Sequence, residues 1–477
     1  MTPDQIKVPK YWIFPKPKMN YLADTFSIGD DIKVSQQKFY DEYHTSGHKI
    51  NSPLFYPDIP ILNAKKKIVD YHRVNRITLP FQKEAITIVL AHFLGYKTQF
   101  NDSTVGENNV ELMSMYKEFW NDKDMDVLRN DLIKSILAVG DGAALFYRDT
   151  NTKTFKWKVL SYLDGEQIYE KKDKFGQLEY FGRFYTQIND EGKLTNYCDL
   201  IDAKYYDTYV NDEKGWTLIS HDLHGFSTVP VVYYFRKEGS FCTPVQNNID
   251  NLEVMLSRLS EDNRTKAKAR YHIAVDDPNT VQTKSTGTTD LVITPTTGKF
   301  SLISGADIST SFKFEWETEL EIISNYTGMV FPKSKSSGDM PTGSMKMMFF
   351  PTERIVFQLI NEFDIIINKI NTLFKEGMIY EKSDMATDLA NFKVKAYTKM
   401  FSPQDDSAVM TTLTQGITSG ALSKQTAREN APYAANDENK RCDEEQAAES
   451  AQLALEANQV VNKTTNQDSN AANQNKA

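Results

Sequence analysis

The residues whose spacing comes nearest to a reactive site are Gly338-Asp-Met-Pro-Thr-Gly343-Ser344, with two glycines set apart as in a phosphate-cradling loop. Such a loop needs a lysine after the second glycine, to reach the phosphates, and backbone N–H donors along its length. Ser344 stands where the lysine is required and Pro341 has no N–H to give, so the stretch reads as a flexible loop and not as a nucleotide site. Lys333, Lys335 and Lys346 lie on or beside it. On a surface loop they would be solvated, but with few acids among them they equally suit passing contact with a phosphate backbone.

Metal chemistry is poorly supported. His44-Thr-Ser-Gly-His48 has helical ligand spacing, yet Gly47 weakens a helix and no acid sits between the histidines. His221 and His224 fall in an expected loop. Asp276-Asp277 and Asp405-Asp406 neighbour Pro278 and Pro403, which turn chemistry explains, and Asp122-Lys-Asp-Met-Asp126 lacks the glycine and closing glutamate of a calcium loop. Cys198, Cys242 and Cys442 are too far apart for a thiolate zinc cluster and read as unpaired thiols. No catalytic, cofactor or metal site is expected.

The 477 residues allow about two to four domains, and 40% hydrophobic content is ample for buried cores. A net charge of -9 argues against a protein that grips nucleic acid over its whole surface, while leaving room for local contacts. No apolar run is long enough to span a bilayer, and Met1–Lys7 lacks the apolar core of a signal peptide, so the chain reads as cytosolic.

The element that must position the lysine-bearing loop is the most periodic stretch in the chain. Ile355, Val356, Leu359, Ile360, Phe363, Ile366, Ile367, Ile370 and Phe374 recur at steps of three and four, predicting a helical strut from Glu353 to Glu376 with Gly377 as its stop signal. Residues 330–348 read as the loop before it. Upstream, the first 60 residues read as an extended, aromatic-rich arm with short helices that orders against a neighbour. A helix follows Pro80 with Ile86, Leu90 and Phe93 on its buried face, and another runs from Asp126 to Val139 and stops at Gly140. Strands are expected at 144–147, 155–159, 180–185, 204–210, 216–219 and 229–235, giving an α+β domain with antiparallel sheet.

Thr243-Pro-Val-Gln246 has the composition of a capping box, opening a helix whose face is Val245, Ile249, Leu252, Leu256 and Leu259. Its end is basic, with Arg264, Lys266, Lys268 and Arg270. A compact β-rich excursion from Tyr271 to Ser309 follows, with strands at 272–275, 291–294 and 300–303, and a helix resumes near Trp316 with Leu320, Ile323 and Met329. Beyond the strut, Phe392–Tyr397 reads as a strand completing the earlier sheet. Helices broken at Gly416 and Gly420 follow Pro403, further helix is read at 421–428 and 438–456, and the tail from Val460 reads as disordered.

Several blocks in this order resemble the portal proteins of tailed double-stranded DNA bacteriophages, of the type found in long-tailed phages of Gram-positive hosts, over Ile68 to Gln446. Asn75-Arg-Ile-Thr-Leu-Pro-Phe-Gln-Lys-Glu-Ala-Ile86, followed by Phe93-Leu-Gly-Tyr-Lys97, is similar to the early family helix. Ala138-Val-Gly-Asp-Gly-Ala-Ala-Leu-Phe-Tyr-Arg-Asp149 resembles the family's helix-to-strand block, and Gly225-Phe-Ser-Thr-Val-Pro-Val-Val232 the strand entering its stem. Thr342-Gly-Ser-Met-Lys346 stands in the place of the family block ahead of the long helix, with Thr342 and Met345 departing from the commoner residues.

The resemblance implies the portal fold: an N-terminal arm (1–60), an α+β wing (61–242), two stem helices (243–270 and 310–329) and a small β-containing clip (271–309). It continues with a tunnel loop (330–348), a long kinked wing helix with a returning strand (349–401), a helical crown (402–457) and a disordered tail (458–477). It implies a ring, usually dodecameric, at one capsid vertex of the virion. The ring would be assembled in the host cytoplasm with major capsid and scaffolding proteins, away from any membrane. Double-stranded DNA would pass through its channel, driven by a separate terminase, and a head-tail adaptor would dock afterwards. On that map Lys333, Lys335, Thr342, Gly343, Ser344 and Lys346 border the channel, and Arg264, Lys266, Lys268 and Arg270 belong to the stem. The readings from other classes are a nucleic-acid-processing enzyme with a dispersed site and a scaffold without a channel.

Overall fold

The computed structural model describes residues 30–62, 66–102, 110–149, 151–188, 192–212, 215–266, 270–274, 290–294, 309–330, 342–401, 406–429, 431, 441–448 and 450. The chain divides into two compact units, Met1–Lys335 with Met348–Phe401, and Ser336–Met347 with Ser402–Ala477. In order, the larger unit contains α1 (Asp30–Tyr43), β1 (Ile59–Leu62), β2 (Ile68–His72), α2 (Phe81–Phe93), β3 (Gln99–Asp102), α3 (Val110–Asp122) and α4 (Met125–Val139). Then come β4 (Asp141–Asp149), β5 (Thr154–Leu160), β6 (Gln167–Lys172), β7 (Leu178–Ile188), β8 (Leu194–Ile201), β9 (Tyr205–Asp212), β10 (Gly215–Leu223) and β11 (Val231–Phe235). They are followed by α5 (Gln246–Lys266), β12 (Arg270–Ala274), β13 (Asp290–Thr294), α6 (Ser309–Thr327), α7 (Thr342–Glu381, whose first residues belong to the smaller unit), α8 (Ala386–Asn391) and β14 (Val394–Tyr397). The smaller unit adds α9 (Asp406–Thr418) and α10 (Lys424–Glu429). The fold is α+β, as expected.

Layering in the larger unit follows from alternation along β4. Ala144 and Phe146 point into the main core with Leu132, Ile136 and Val139 of α4, while Ala143 and Leu145 point the other way, against Ile168, Phe181 and Ile201. The three-stranded sheet β11-β4-β5 is therefore sandwiched between a helical layer and the five-stranded antiparallel sheet β10-β9-β8-β7-β6. Central strands buried on two faces carry apolar residues at consecutive positions, and 142–146 have no polar side chain at all. Helix α4 ends where expected: Gly140 adopts φ +85° and its N–H returns to Ile136 O at 2.9 Å, a left-handed cap that a side chain would strain.

Other expectations need correction. Strands β6 and β8 were not foreseen, because polar residues such as Glu170, Lys171, Asn196 and Asp199 interrupt their patterns. Phe392–Tyr397 does not complete the earlier sheet: β14 pairs antiparallel with β3, forming a separate two-stranded sheet. The arm does contain a helix, α1, which packs on α4 of its own chain; residues 1–29 lie outside the described ones. Gly416 lies inside α9, and of the last expected helix 441–448 and 450 are helical while 451–456 lie outside the described residues, as does the tail from Val460.

The strut is longer than the periodicity predicts. All the expected stripe residues of α7 are buried except half-buried Ile360, and Phe374 sits among Trp120, Tyr116 and Phe119 with ring centroids 4.8, 5.1 and 5.4 Å away. The helix runs through Gly377 to Glu381, whose carboxylate holds Lys123 Nζ at 2.5 Å and also accepts from the Phe155 N–H. Gly377 is thus a point of close approach: a Cβ there would lie 2.2 Å from the Phe155 ring. At the other end the helix starts at Thr342 and passes through Pro351. Proline deprives the Met347 carbonyl of its helical donor, which is the physical basis for the expected kink.

Asp141 is completely buried at the start of β4, where it accepts from Gln36 Nε2 and the Tyr233 hydroxyl. Burial pushes its carboxyl up to about 8, and nearby Glu170, itself raised chiefly by burial, adds to the shift. A folded-state value above the unfolded one means the native state holds the extra proton, so stability falls as pH rises from about 4 toward 8. Asp141→Asn should flatten that slope, read as the thermal unfolding midpoint against pH; a slope identical to the parent chain's would remove Asp141 as its source. Gly377→Ala should cost about 1–3 kcal/mol through overpacking, seen as a lower denaturation midpoint, and Phe155→Leu in the same chain should recover part of it. A Gly377→Ala chain as stable as the parent would contradict the close approach.

Candidate functional site

The order helix, inserted strands, helix and long helix singles out α5, α6 and the start of α7. Helix α5 does not open with the expected capping box. Thr243–Val245 forms a 3-10 turn, and no side chain caps its N-terminus at Cys242. The Thr243 hydroxyl meets Ser240 Oγ at 3.0 Å instead, and Gln246 turns forward to donate to Asp250 Oδ1 at 2.8 Å. The first half of the expected apolar face holds, with Val245, Ile249 and Leu252 buried alongside Ile323 of α6. Further on it fails: Leu256 and Leu259 are half-buried, whereas Glu253 and Ser257 are fully enclosed. Asn248 Nδ2 donates to Glu319 Oε2 at 2.6 Å and joins α5 to α6, which begins at Ser309, ahead of the expected Trp316.

Polar residues, enclosed in the first part of the helix and more open toward its end, form a stripe. Gln246, Asp250, Glu253, Ser257, Ser260, Glu261 and Arg264 recur at the helical period, and each meets the chain between 48 and 82. Gln246 Oε1 accepts from Gln82 Nε2 at 3.0 Å, and Asp250 Oδ2 from Lys49 Nζ at 2.6 Å. Glu253 Oε1 lies 2.5 Å from His48 Nδ1 and accepts from the Leu79 N–H at 2.8 Å. The other imidazole nitrogen, Nε2, donates to Glu42 O at 2.9 Å, so both ring nitrogens are engaged. Ser257 Oγ accepts from the Ile77 N–H at 2.9 Å, and Ser260 Oγ from Asn75 Nδ2 at 2.7 Å. Glu261 Oε1 holds His72 Nε2 at 2.8 Å and Arg264 Nη2 at 3.0 Å, while Arg264 also donates to Arg73 O at 3.3 Å. The backbone donors of Ile77 and Leu79, which lie outside any strand, are satisfied by side chains of the helix, which fixes the path of that stretch along it.

Among the expected site residues, Arg264 therefore serves this clamp. Lys266 ends α5 and Arg270 opens β12, where its Cα partner across the parallel pair is Asp290; Lys268 lies outside the described residues. The clip strands expected at 272–275 and 291–294 appear as β12 and β13, whereas 300–303 lies outside the described residues. Lys333 and Lys335 lie outside them too. Thr342, Gly343, Ser344 and Lys346 do not belong to a loop but to the first turns of α7. The helix start follows Pro341, a residue that sits readily at a helix entrance, and not the second proline at 351.

Three of the four paired histidines have hydrogen-bond partners within the chain. His48 is the buried partner of Glu253, His221 Nδ1 lies 2.6 Å from Asp207 Oδ1 on neighbouring β9, and His224 Nε2 donates to Asp202 O at 3.0 Å. No group of three or more metal-ligating side chains occurs among the described residues. Cys198 and Cys242 are buried, and burial pushes both thiols up, Cys242 to about 12, so neither is a ready nucleophile. The densest charged cluster, Arg183 between Glu166 (2.6 Å) and Asp199 (3.1 Å), with Tyr206 donating to Asp199 at 2.7 Å, is a cross-strand tie in the five-stranded sheet.

The clamp makes a graded prediction. Glu253→Ala leaves His48 and the Leu79 N–H without their partner in an enclosed site and should cost about 2–4 kcal/mol, whereas Ser257→Ala orphans only the Ile77 N–H and should cost about 1–2 kcal/mol. Limited proteolysis and chemical denaturation measure this, with new cleavage expected between 48 and 79. Equal effects of the two changes would contradict the assignment.

Comparison with known proteins then bears on this arrangement. The profile of the family described as "Phage portal protein, SPP1 Gp6-like" matches residues 32–456. No match is found among curated proteins. Among solved structures, a chain of the "Neck of empty GTA particle computed with C6 symmetry" is similar at 10% identity and a TM-score of 0.38, covering 76% of this chain and 90% of that one. The family match takes in the clamped helix α5, its partner α6 and the whole of α7, and on that extent the chain belongs to the SPP1 Gp6-like family of phage portal proteins.

Proposed function

We propose that copies of this chain close into a ring, of twelve subunits, whose channel passes double-stranded DNA at one vertex of the capsid during packaging and again during ejection. The ring is structural: a separate terminase supplies the ATP-driven motion, docks at the clip (271–309), and gives way to a head-tail adaptor. It assembles in the host cytoplasm with major capsid and scaffolding proteins and remains in the virion. No helix among the described residues is long and apolar enough to cross a membrane.

The observation that supports this reading best is the element order. Two helices joined by Asn248 and Glu319 bracket a parallel strand pair, and a lysine-bearing segment then leads into a helix of 40 residues. In this assignment α5 and α6 are the stem, residues 330–341 with the first turns of α7 border the constriction, the layered sheets with the rest of α7 form the wing, and the helices after 402 form the crown. Lys333, Lys335 and Lys346 of each subunit then compose a positive collar. Each phosphate contact is weak and screened within about 8–10 Å at physiological salt, which lets a moving duplex pass without sticking.

Replacing Lys333, Lys335 and Lys346 together by alanine should leave rings intact but change packaged DNA length or its retention, most strongly at low salt. Unchanged packaging and leakage in assembled variant rings would end the collar. A chain that stays monomeric in analytical ultracentrifugation and shows no ring in negative stain would end the ring itself.

A further inference from the structure

The hairpin β1–β2 is left largely exposed by the described residues of its own chain. Ile59, Ile61, Ile68, Val69 and Tyr71 are between 44% and 61% exposed, and they occur on both faces of the two-stranded sheet. A two-stranded hairpin in water is marginal without a third layer, and this one is bound to the remainder of its chain at its base, through His72 and Glu261. Its exposed charges are mostly positive: Lys66, Lys67 and Arg73 against Asp70.

Helix α6 has the opposite character. Its open side carries Phe314 at 74% and Tyr326 at 63% exposure, with Glu315, Glu317 and Glu321 exposed and Lys313 as the one exposed cation among the described residues of that helix. Glu317 and Glu321, and likewise Glu315 and Glu319, are four residues apart, a spacing at which like charges destabilise a helix unless something positive comes near. The outward side of α7 is also apolar, with Phe357 and Ile365 exposed, but its exposed charges are Arg354 and Lys369, which would repel the hairpin.

We infer that the β1–β2 hairpin of one subunit docks on the acidic, aromatic face of α6 in the adjacent subunit, with Tyr71 and Val69 against Phe314 and with Lys66 and Lys67 facing Glu317 and Glu321. The two patches differ and complement each other, as a head-to-tail contact requires; repeated around an axis, such a contact closes a ring. This inference rests on the ring reading above. It adds the surface by which neighbours recognise each other and gives the clamp on α5 a task, because that clamp fixes where the hairpin stands.

The test is a cross-link between different variants in a Cys442→Ser background, the remaining cysteines being buried. Full-length chain carrying Tyr71→Cys is mixed with full-length chain carrying Phe314→Cys, allowed to assemble, and treated with a short bismaleimide. A covalent dimer should form in the mixture and in neither variant alone. In parallel, Lys66→Glu with Lys67→Glu should raise the concentration needed for assembly about tenfold, and adding Glu317→Lys with Glu321→Lys should restore it. Rings that form without the mixed cross-link overturn the pairing and leave the ring intact, assigning the hairpin to some other partner. Failure of the charge reversal to rescue assembly, with both double variants folded by circular dichroism, also overturns it. An unmodified chain that forms no rings overturns the ring reading and this contact together.

Discussion

Burial of one long helix is the constraint on which the larger unit depends. The apolar side of α7 from Ile355 to Met378 reaches the aromatic cluster of α3, the β5 edge residue Phe155 and the core face of α2. A stripe of that length cannot be covered by one neighbour, so elements distant in sequence converge on it. The helical layer, the three-stranded sheet and the β3–β14 pair are the result, with Asn371 Oδ1 accepting from the Tyr116 hydroxyl at 2.7 Å where the helix passes between them. The sheets add a second core behind this one, which explains why β4 is buried on both faces.

Helix α5 is held by a different force. Its apolar residues cover only the first half of one side, and the remaining contact is made by hydrogen bonds to a segment that has no regular partner over most of its length. Apolar burial is tolerant of sliding, whereas a row of donors and acceptors at fixed spacing is not. Helix α5 is thereby held in register against the segment between 48 and 82.

What could be read in the sequence was whatever apolar period announced. The stripe on α7, the core helix α4 and its glycine stop, and several strands of the sheets are of this kind. The polar contacts of α5 could not be read, because Gln246, Asp250, Glu253 and Ser257 look like an ordinary solvated helix face until their partners between 48 and 82 are in place. Gly377 misled for a related reason: glycine marks helix ends by its conformational freedom, but here its missing side chain makes room for Phe155. Thr243-Pro-Val-Gln246 misled because a capping box requires Gln246 to turn back, and Asp250 draws it forward. The strands β6 and β8 escaped because polar residues, Glu170 on β6 and the buried Asp199 on β8, occupy positions where a hydrophobic residue would have signalled sheet.

The contact between Gly377 and Phe155 also has a mechanical meaning. It lies near one end of α7, beside the grip of Glu381 on Lys123, so that end of the helix is fixed. From there to Met348 the helix spans about 44 Å at ~1.5 Å per residue. A tilt of about 5° about that end would displace the far end by about 4 Å, a step comparable with the ~3.4 Å spacing of successive bases along a DNA strand. A small shift at the Phe155 ring would thus be magnified along the length of the helix.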